Sequence, residues 1–286
     1  MKKNPFLFIL AIVLSVSLAC SLRFDLPVDE ITTGETVTEP VKVDLPDGTA
    51  EVSITFGAGE LEISPGSVPG LIVGTAKYNV ADLKPVIEID ELEVSISTGN
   101  FEITGIPNIE EDIVNIWELE IGSSPVELKI NAGAYKGNYD FGGLAITSLE
   151  ITDGASDVEL AFSSSNKSEM ANFRYVTGAS NLEMIGLANA NFESMTFRGG
   201  AGDFKLDFSG QLKRDATVQI ESGLSHVEVV IPETTSARVV FRGGLASINA
   251  SSTWDKSENE YFLNGIGPTL TIYVDMAAGD FDLLTK

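Results

Sequence analysis

With 286 residues, 43% of them hydrophobic, the chain can bury a substantial core, which excludes disorder over most of its length. Its 42 acidic against 18 basic residues leave a formal net charge of −24, so the footprint that would bind a phosphate backbone is missing and nucleic acid is excluded as a partner. A single cysteine, Cys20, and a single histidine, His226, rule out an internal disulfide framework and a cysteine zinc cluster.

The chain opens with a short basic stretch, Lys2 and Lys3, followed by an apolar run from Pro5 to Val16. That run is too short for a dedicated membrane span and reads as an export signal, covering residues 1–19. It ends Ser17, Leu18, Ala19, Cys20, Ser21, which resembles the bacterial lipobox. The resemblance implies cleavage before Cys20 and diacylglyceryl modification of its thiol, although Ser17 stands where leucine is usual. The alternative is an ordinary signal peptide, or a retained anchor helix, with an incidental cysteine. Acyl chains on Cys20 would tie the protein to the membrane, since each buried methylene contributes about 0.8 kcal/mol and two chains suffice for stable anchoring.

Residues 20–40 are rich in Thr, Glu, Asp, Val and Pro without sustained period, and read as a tether. Alternation of apolar and polar residues begins after it. Val52, Ile54 and Phe56 enter the corner Gly57, Ala58, Gly59, and Leu61 and Ile63 leave it. A further set, Leu92, Val94 and Ile96 followed by Gly99, Phe101 and Ile103, repeats the pattern. Period-2 alternation around glycine corners predicts strands and no long helix.

From residue 107 onward the pattern becomes a repeat. The first apolar residue after each corner falls at Val158, Leu182, Phe204, Val227, Ile248 and Leu270, with separations of 24, 22, 23, 21 and 22 residues. A fixed period of about 22 is the signature of units that bury their apolar faces against neighbours. The spacing predicts two strands per unit, about eleven residues each. Further copies stand at Asn131–Tyr139 and, half a period after Leu270, at Ala277–Leu283. The expected fold class is all-β, a repetitive β-solenoid with about 22 residues per coil. An antiparallel sandwich or meander is the alternative, in which the same corners would be hairpins. FRGG at Phe197–Gly200 and again at Phe241–Gly244 favours stacking, two coils apart. The organisation expected is a signal at 1–19, a tether at 20–40, a β unit at 41–106 and a repeated region at 107–286 continuous with it.

The phrases FGAGELEISPG and GTAKYNV, with Pro85, resemble the toast-rack N-terminal domain. Downstream, WELEIGSSPVELKINAGAY, ITDGASDVEL, VTGASNLEMIGLANANF, GGAGDFKLDFSG and GLSHVEVVIP resemble the companion region of LiaF-like, cell-wall-active-antibiotic-response proteins and related candidate adhesins. The likeness covers about residues 40–286. It implies an extracytoplasmic, repeated-strand, membrane-tethered protein, and brings no catalytic residues with it. Unlike LiaF-like members with several transmembrane helices, this chain has one N-terminal apolar segment.

Several residues have the chemistry of a site. RGGAGDFKL is faintly similar to the calcium-binding nonapeptide of β-rolls. Asp203, however, falls one place early, and the sister corners carry Ser156, Ser180 or Ser225 where a ligand row needs carboxylates. His226 lacks a second ligand. Glu110 with Glu111, or Asp280 with Asp282, could supply a glycosidase pair, yet nothing singles out an acid and a base. Trp117, Trp254, Tyr135, Tyr175 and Tyr261 could stack on sugars, but alternating positions point to burial. Asn166 with Ser168 and Asn249 with Ser251 match glycosylation sequons. The polar interruptions Ser164–Ala171 and Ser251–Asn259 are the expected partner surfaces. The reading is therefore of no catalytic, cofactor or metal residues, with Cys20 as the lipidation site and the membrane as partner through it. A non-catalytic envelope protein for adhesion, scaffolding or stress sensing follows, with an envelope protein or glycan as further partner. A polysaccharide-active enzyme or glycan-binding β-helix is the alternative.

Overall fold

The computed structural model describes residues 33–99 and 113–286. One 15-stranded sheet contains, in chain order, β1 (Val37–Asp44), β2 (Ala50–Pro65), β3 (Leu71–Tyr78), β4 (Pro85–Asp90), β5 (Glu93–Thr98), β6 (Asn115–Ile121), β7 (Pro125–Asp140), β8 (Ala145–Ala161), β9 (Met170–Ile185), β10 (Phe192–Asp207), β11 (Ala216–Ile231), β12 (Ser236–Ala250), β13 (Asp255–Ser257), β14 (Glu260–Leu263) and β15 (Thr269–Thr285). Short 3₁₀ turns at Ala81–Leu83 and Leu187–Ala190 are the helical segments among the described residues.

Each repeat is one long strand rather than two short ones. β7 to β11 run 16 or 17 residues without a break, because the backbone stays extended through the glycine corner and merely bends there. The bend divides each strand into a first and a second arm. Neighbouring long strands are parallel, so the corners are solenoid bends and not hairpins. The post-corner residues form a single row across the stack: Val158 pairs with Leu182, Leu182 with Phe204, and Phe204 with Val227.

The corner glycines are demanded by the approach of the next strand. A Cβ on Gly178, Gly200 or Gly223 would lie 2.5, 2.3 or 2.3 Å from the carbonyl oxygen of Gly154, Gly178 or Gly200 respectively. Gly202 is more constrained, with a φ of +139° and a would-be Cβ 1.8 Å from Ser180 O. Just inside the bend, Phe197 and Phe204 meet edge to face with ring centres 5.0 Å apart. At the far side of the core a chain of rings runs Tyr139, Phe141, Phe162, Phe173, Phe192, at 5.6, 5.8, 6.1 and 6.5 Å in turn. Each such ring contributes roughly 1.5–3 kcal/mol by leaving water, so the interior is one continuous hydrophobic cluster.

The C-terminal strands do not stack in chain order. β15 lies between β11 and β12, parallel to both, and Phe281 takes the place of Leu270 in the post-corner row, between Val227 and Ile248. Leu270 instead opens the first arm, in register with Ala216 and Ala237. The two FRGG corners consequently stand three strands apart instead of two coils. The physical reason lies in the segment after β12: β14 returns antiparallel along Ala237–Val240 and β13 pairs with it, closing that edge with Trp254, Tyr261 and Leu263 buried beneath. The last strand thus completes ladders on both sides.

At the other end the first long strand, β2, is partnered in two pieces. Its first arm pairs with β5 and its second with β6, both parallel, while β3 and β1 follow β6 antiparallel and β4 follows β5. Val94 and Ile96 belong to β5 as the alternation requires, whereas Phe101 and Ile103 lie outside the described residues.

Candidate functional site

The residues free to act are those that the alternation turns outward, and they form ladders along each arm. On the second arm, one row runs Lys136, Asp157, Asn181, Asp203, His226, Asp280, Ser247, and the next outward row runs Asn138, Glu159, Glu183, Lys205, Glu228, Asp282, Asn249. Carboxylates dominate, and the few cations are placed to bridge them. Lys205 lies 2.9 Å from Glu183 and 3.9 Å from Glu228, one on each neighbouring strand. Its hydrogen bond to Glu183 raises the pKa of the ammonium.

His226 does the same work one row nearer the corner. Its Nε2 is 3.0 Å from Asp282 Oδ2 and its Nδ1 is 3.6 Å from Asp203 Oδ1. The hydrogen bond to Asp282 holds the imidazole above its ordinary pKa against a desolvation penalty, helped by the charges of Asp282, Asp203 and Glu228. Reciprocally, His226 and the amide of Asn249 hold Asp282 below the usual carboxylate range. This face is an open groove of about 570 Å³. A second groove of about 530 Å³ lies on the first arm, lined by Glu51, Glu88, Asp90, Glu93, Glu127 and Lys129 among others.

Asp203 is flanked in its row by Asn181 and His226, so no carboxylate column continues from it. The serines of the sister corners turn inward: Ser156 donates to Ser180 at 2.8 Å, Ser180 also bonds Thr177, and Ser225 bonds Ser222. Asp280 accepts from Ser247 at 2.5 Å and Asp282 from Asn249 at 3.0 Å, which commits both to the ladder. Among the described residues no three His, Cys, Asp or Glu side chains are disposed to share a metal. Cys20, Glu110 and Glu111 lie outside the described residues.

The aromatics are core. Trp117 and Tyr175 are fully buried, and Tyr135, Tyr261 and Trp254 nearly so. The hydroxyls of Tyr135 and Tyr175 both donate to Asp153 Oδ2, at 3.2 and 2.7 Å, and burial raises both phenol pKa values. Asp153 is a buried carboxylate that period alone does not reveal, since it occupies an ordinary inward position before the corner. Asn166, a sequon residue by sequence, has a buried role that the motif does not show. It is 0% exposed, accepts from Ile146 N and donates to the carbonyls of Ile146, Ser168 and Ala190, so its sequon is sealed inside the fold. The interruption Ser164–Ala171 is thereby a pinned connection, and Ser251–Asn259 contributes Trp254 and β13 to the terminal cap.

The family model of the N-terminal domain of toast_rack matches residues 31–185, more than half of the chain. The chain belongs to the toast-rack N-terminal domain family. The toast-rack match spans the split partner of β2 and continues through β9. No curated protein matches the sequence. Solved structures similar to this toast-rack chain include a candidate cell adhesion protein of Clostridium sporogenes, at 18% identity and a TM-score of 0.48, covering 88% of this chain and 100% of that one. Candidate adhesins of Bacteroides fragilis and Parabacteroides distasonis align at 10% and 9% identity with TM-scores of 0.39 and 0.38, each over 89% of this chain and 99% and 100% of theirs.

Proposed function

We propose that this toast-rack chain is a non-catalytic, extracytoplasmic β-solenoid, lipid-anchored through Cys20, that serves in adhesion at the cell envelope. The observation that carries the reading is polarity along the stack. The chain enters the described fold at β1, and the order of second arms from β1 ends at β12, ten strand spacings away. At about 4.8 Å per spacing this separates the two ends by roughly 48 Å. The strand that the N-terminal segment feeds and the β12 edge are thus opposite ends of one stack, which would leave the β12 edge free for contacts in a protein anchored ahead of β1. The outer ladders suit such a part: acids paired to bridging cations keep the surface hydrated and unattractive to anionic head groups.

Phase separation in Triton X-114 tests the anchor. The full chain expressed in a bacterial host should enter the detergent phase and incorporate labelled palmitate, and Cys20→Ala should abolish the label. Retention of wild type in the aqueous phase without label overturns anchoring. Turnover on a panel of envelope glycans would overturn the non-catalytic reading.

A further inference from the structure

Sheet edges are where a β protein invites or refuses company, and natural edges are blunted with charge, proline or a cover. Among the described residues the sheet has four open edges, and three of them are blunted. β1 carries Pro40 with Glu39, Lys42 and Asp44; β4 begins with Pro85 and carries Glu88 and Asp90; β13 is Asp255, Lys256, Ser257.

The fourth is different. β14 covers β12 only along Ala237–Val240, so from Gly243 to Ala250 the second arm of β12 pairs with β15 on one side and, among the described residues, with no strand on the other. This segment, GGLASINA, contains no charge and no proline, in a chain whose net charge is −24. Leu245 stands 88% exposed at its corner, and Ala246 and Ile248 are only partly covered by the core they face.

We propose that this edge pairs antiparallel with the same edge of a second copy of the chain. The occupant follows from charge and from self-complementarity. Two copies with a large negative charge meet most readily where the edge strand itself presents no carboxylate, and of the four edges among the described residues this one alone qualifies. With Ser247 on a two-fold axis, Ala246 faces the partner's Ile248 and Leu245 faces the partner's Asn249. Both pairs keep inward residues opposite inward and outward opposite outward, as side-chain alternation demands. Such an interface is isologous and closes as a dimer rather than a filament. The edge lies at the end of the stack opposite β1. If the chain is anchored through Cys20, as proposed above, the pairing joins two anchored copies through the ends of their stacks opposite β1; that consequence rests on the anchoring, whereas the dimer itself does not.

Sedimentation velocity of the full chain in a density-matched non-ionic detergent reads the association. Wild type should form a reversible dimer in the micromolar range. The double variant Leu245→Lys, Ser247→Lys places like charges across the axis and should weaken the dimer about tenfold or more. Both positions are exposed, so its melting temperature should match wild type; Leu245→Lys alone provides a milder version. A monomeric wild type overturns the proposal, including the case in which it instead captures an uncharged strand peptide. So does a double variant that dimerises as wild type does, or a dimer abolished by Ile89→Lys on β4. Cys20→Ala should leave the dimer intact, which separates failure here from failure of the anchoring.

Discussion

His226 sits between Asp203 on β10 and Asp282 on β15 and ties three strands by a charge that it holds only when protonated. Its folded pKa is raised above 6.5, so its contribution to stability is fully present below that value and is lost as pH rises through the folded pKa. His226→Gln should therefore lower the melting temperature at mildly acidic pH and converge on wild type in alkali, which calorimetry across that range would detect. The effect is modest, because the imidazole is partly exposed and screened. Asn166 is the opposite case, with every polar atom of its amide enclosed. Asn166→Ala strands a buried amide and several carbonyls, for an expected loss of about 3 kcal/mol in urea unfolding. Asn249→Ala, at the exposed sequon, should stay within about 0.5 kcal/mol of wild type. A sequence motif treats the two asparagines as equals, and only burial tells them apart.

At the level of the strand, the corner row makes a graded prediction. Gly200→Ala must push a Cβ against the Gly178 carbonyl, for an expected cost of about 1–3 kcal/mol. Gly202→Ala adds a left-handed φ to an even closer approach and should cost more. Gly57→Ala, in the same row, should be nearly neutral, since the nearest atom to its Cβ is Thr98 Oγ1 at 3.6 Å. Equilibrium unfolding of the three variants would rank them, and equal costs for Gly57 and Gly200 would refute stacking as the cause. The glycines and the alternation were legible from sequence because they answer to forces within a unit and its immediate neighbour. Phe197, Phe204, Leu206 and Phe208 fill the interior as their spacing requires. The count of strands per unit was not legible, since a residue pattern marks a change of direction without saying whether the hydrogen-bond ladder breaks there.

Over the whole molecule, what the sequence hides is the order in which equivalent units meet. Leu270 and Phe281 both follow glycines and both open apolar alternation, and either satisfies the period; only the long-range ladders with β11 and β12 decide between them. The consequence is a departure from ordinary solenoid behaviour, where units contact only chain neighbours and a terminal unit can be removed at the cost of one interface. Here the last strand is internal. Truncation after residue 268 would strip β11 of its β15 ladder over Ala216–Ile231 and β12 of its β15 ladder over Ser236–Ala250 at once. It would also remove Met276, Phe281 and Leu283 from the core, each at most 1% exposed. Backbone hydrogen exchange should then show β12, β13 and β14 unprotected, with loss spreading into β11, while β7 to β9 keep their protection. Native-like protection in β12 after truncation would mean that β12 can move onto β11 directly, and that the insertion of β15 is a late exchange rather than a requirement for closing the stack.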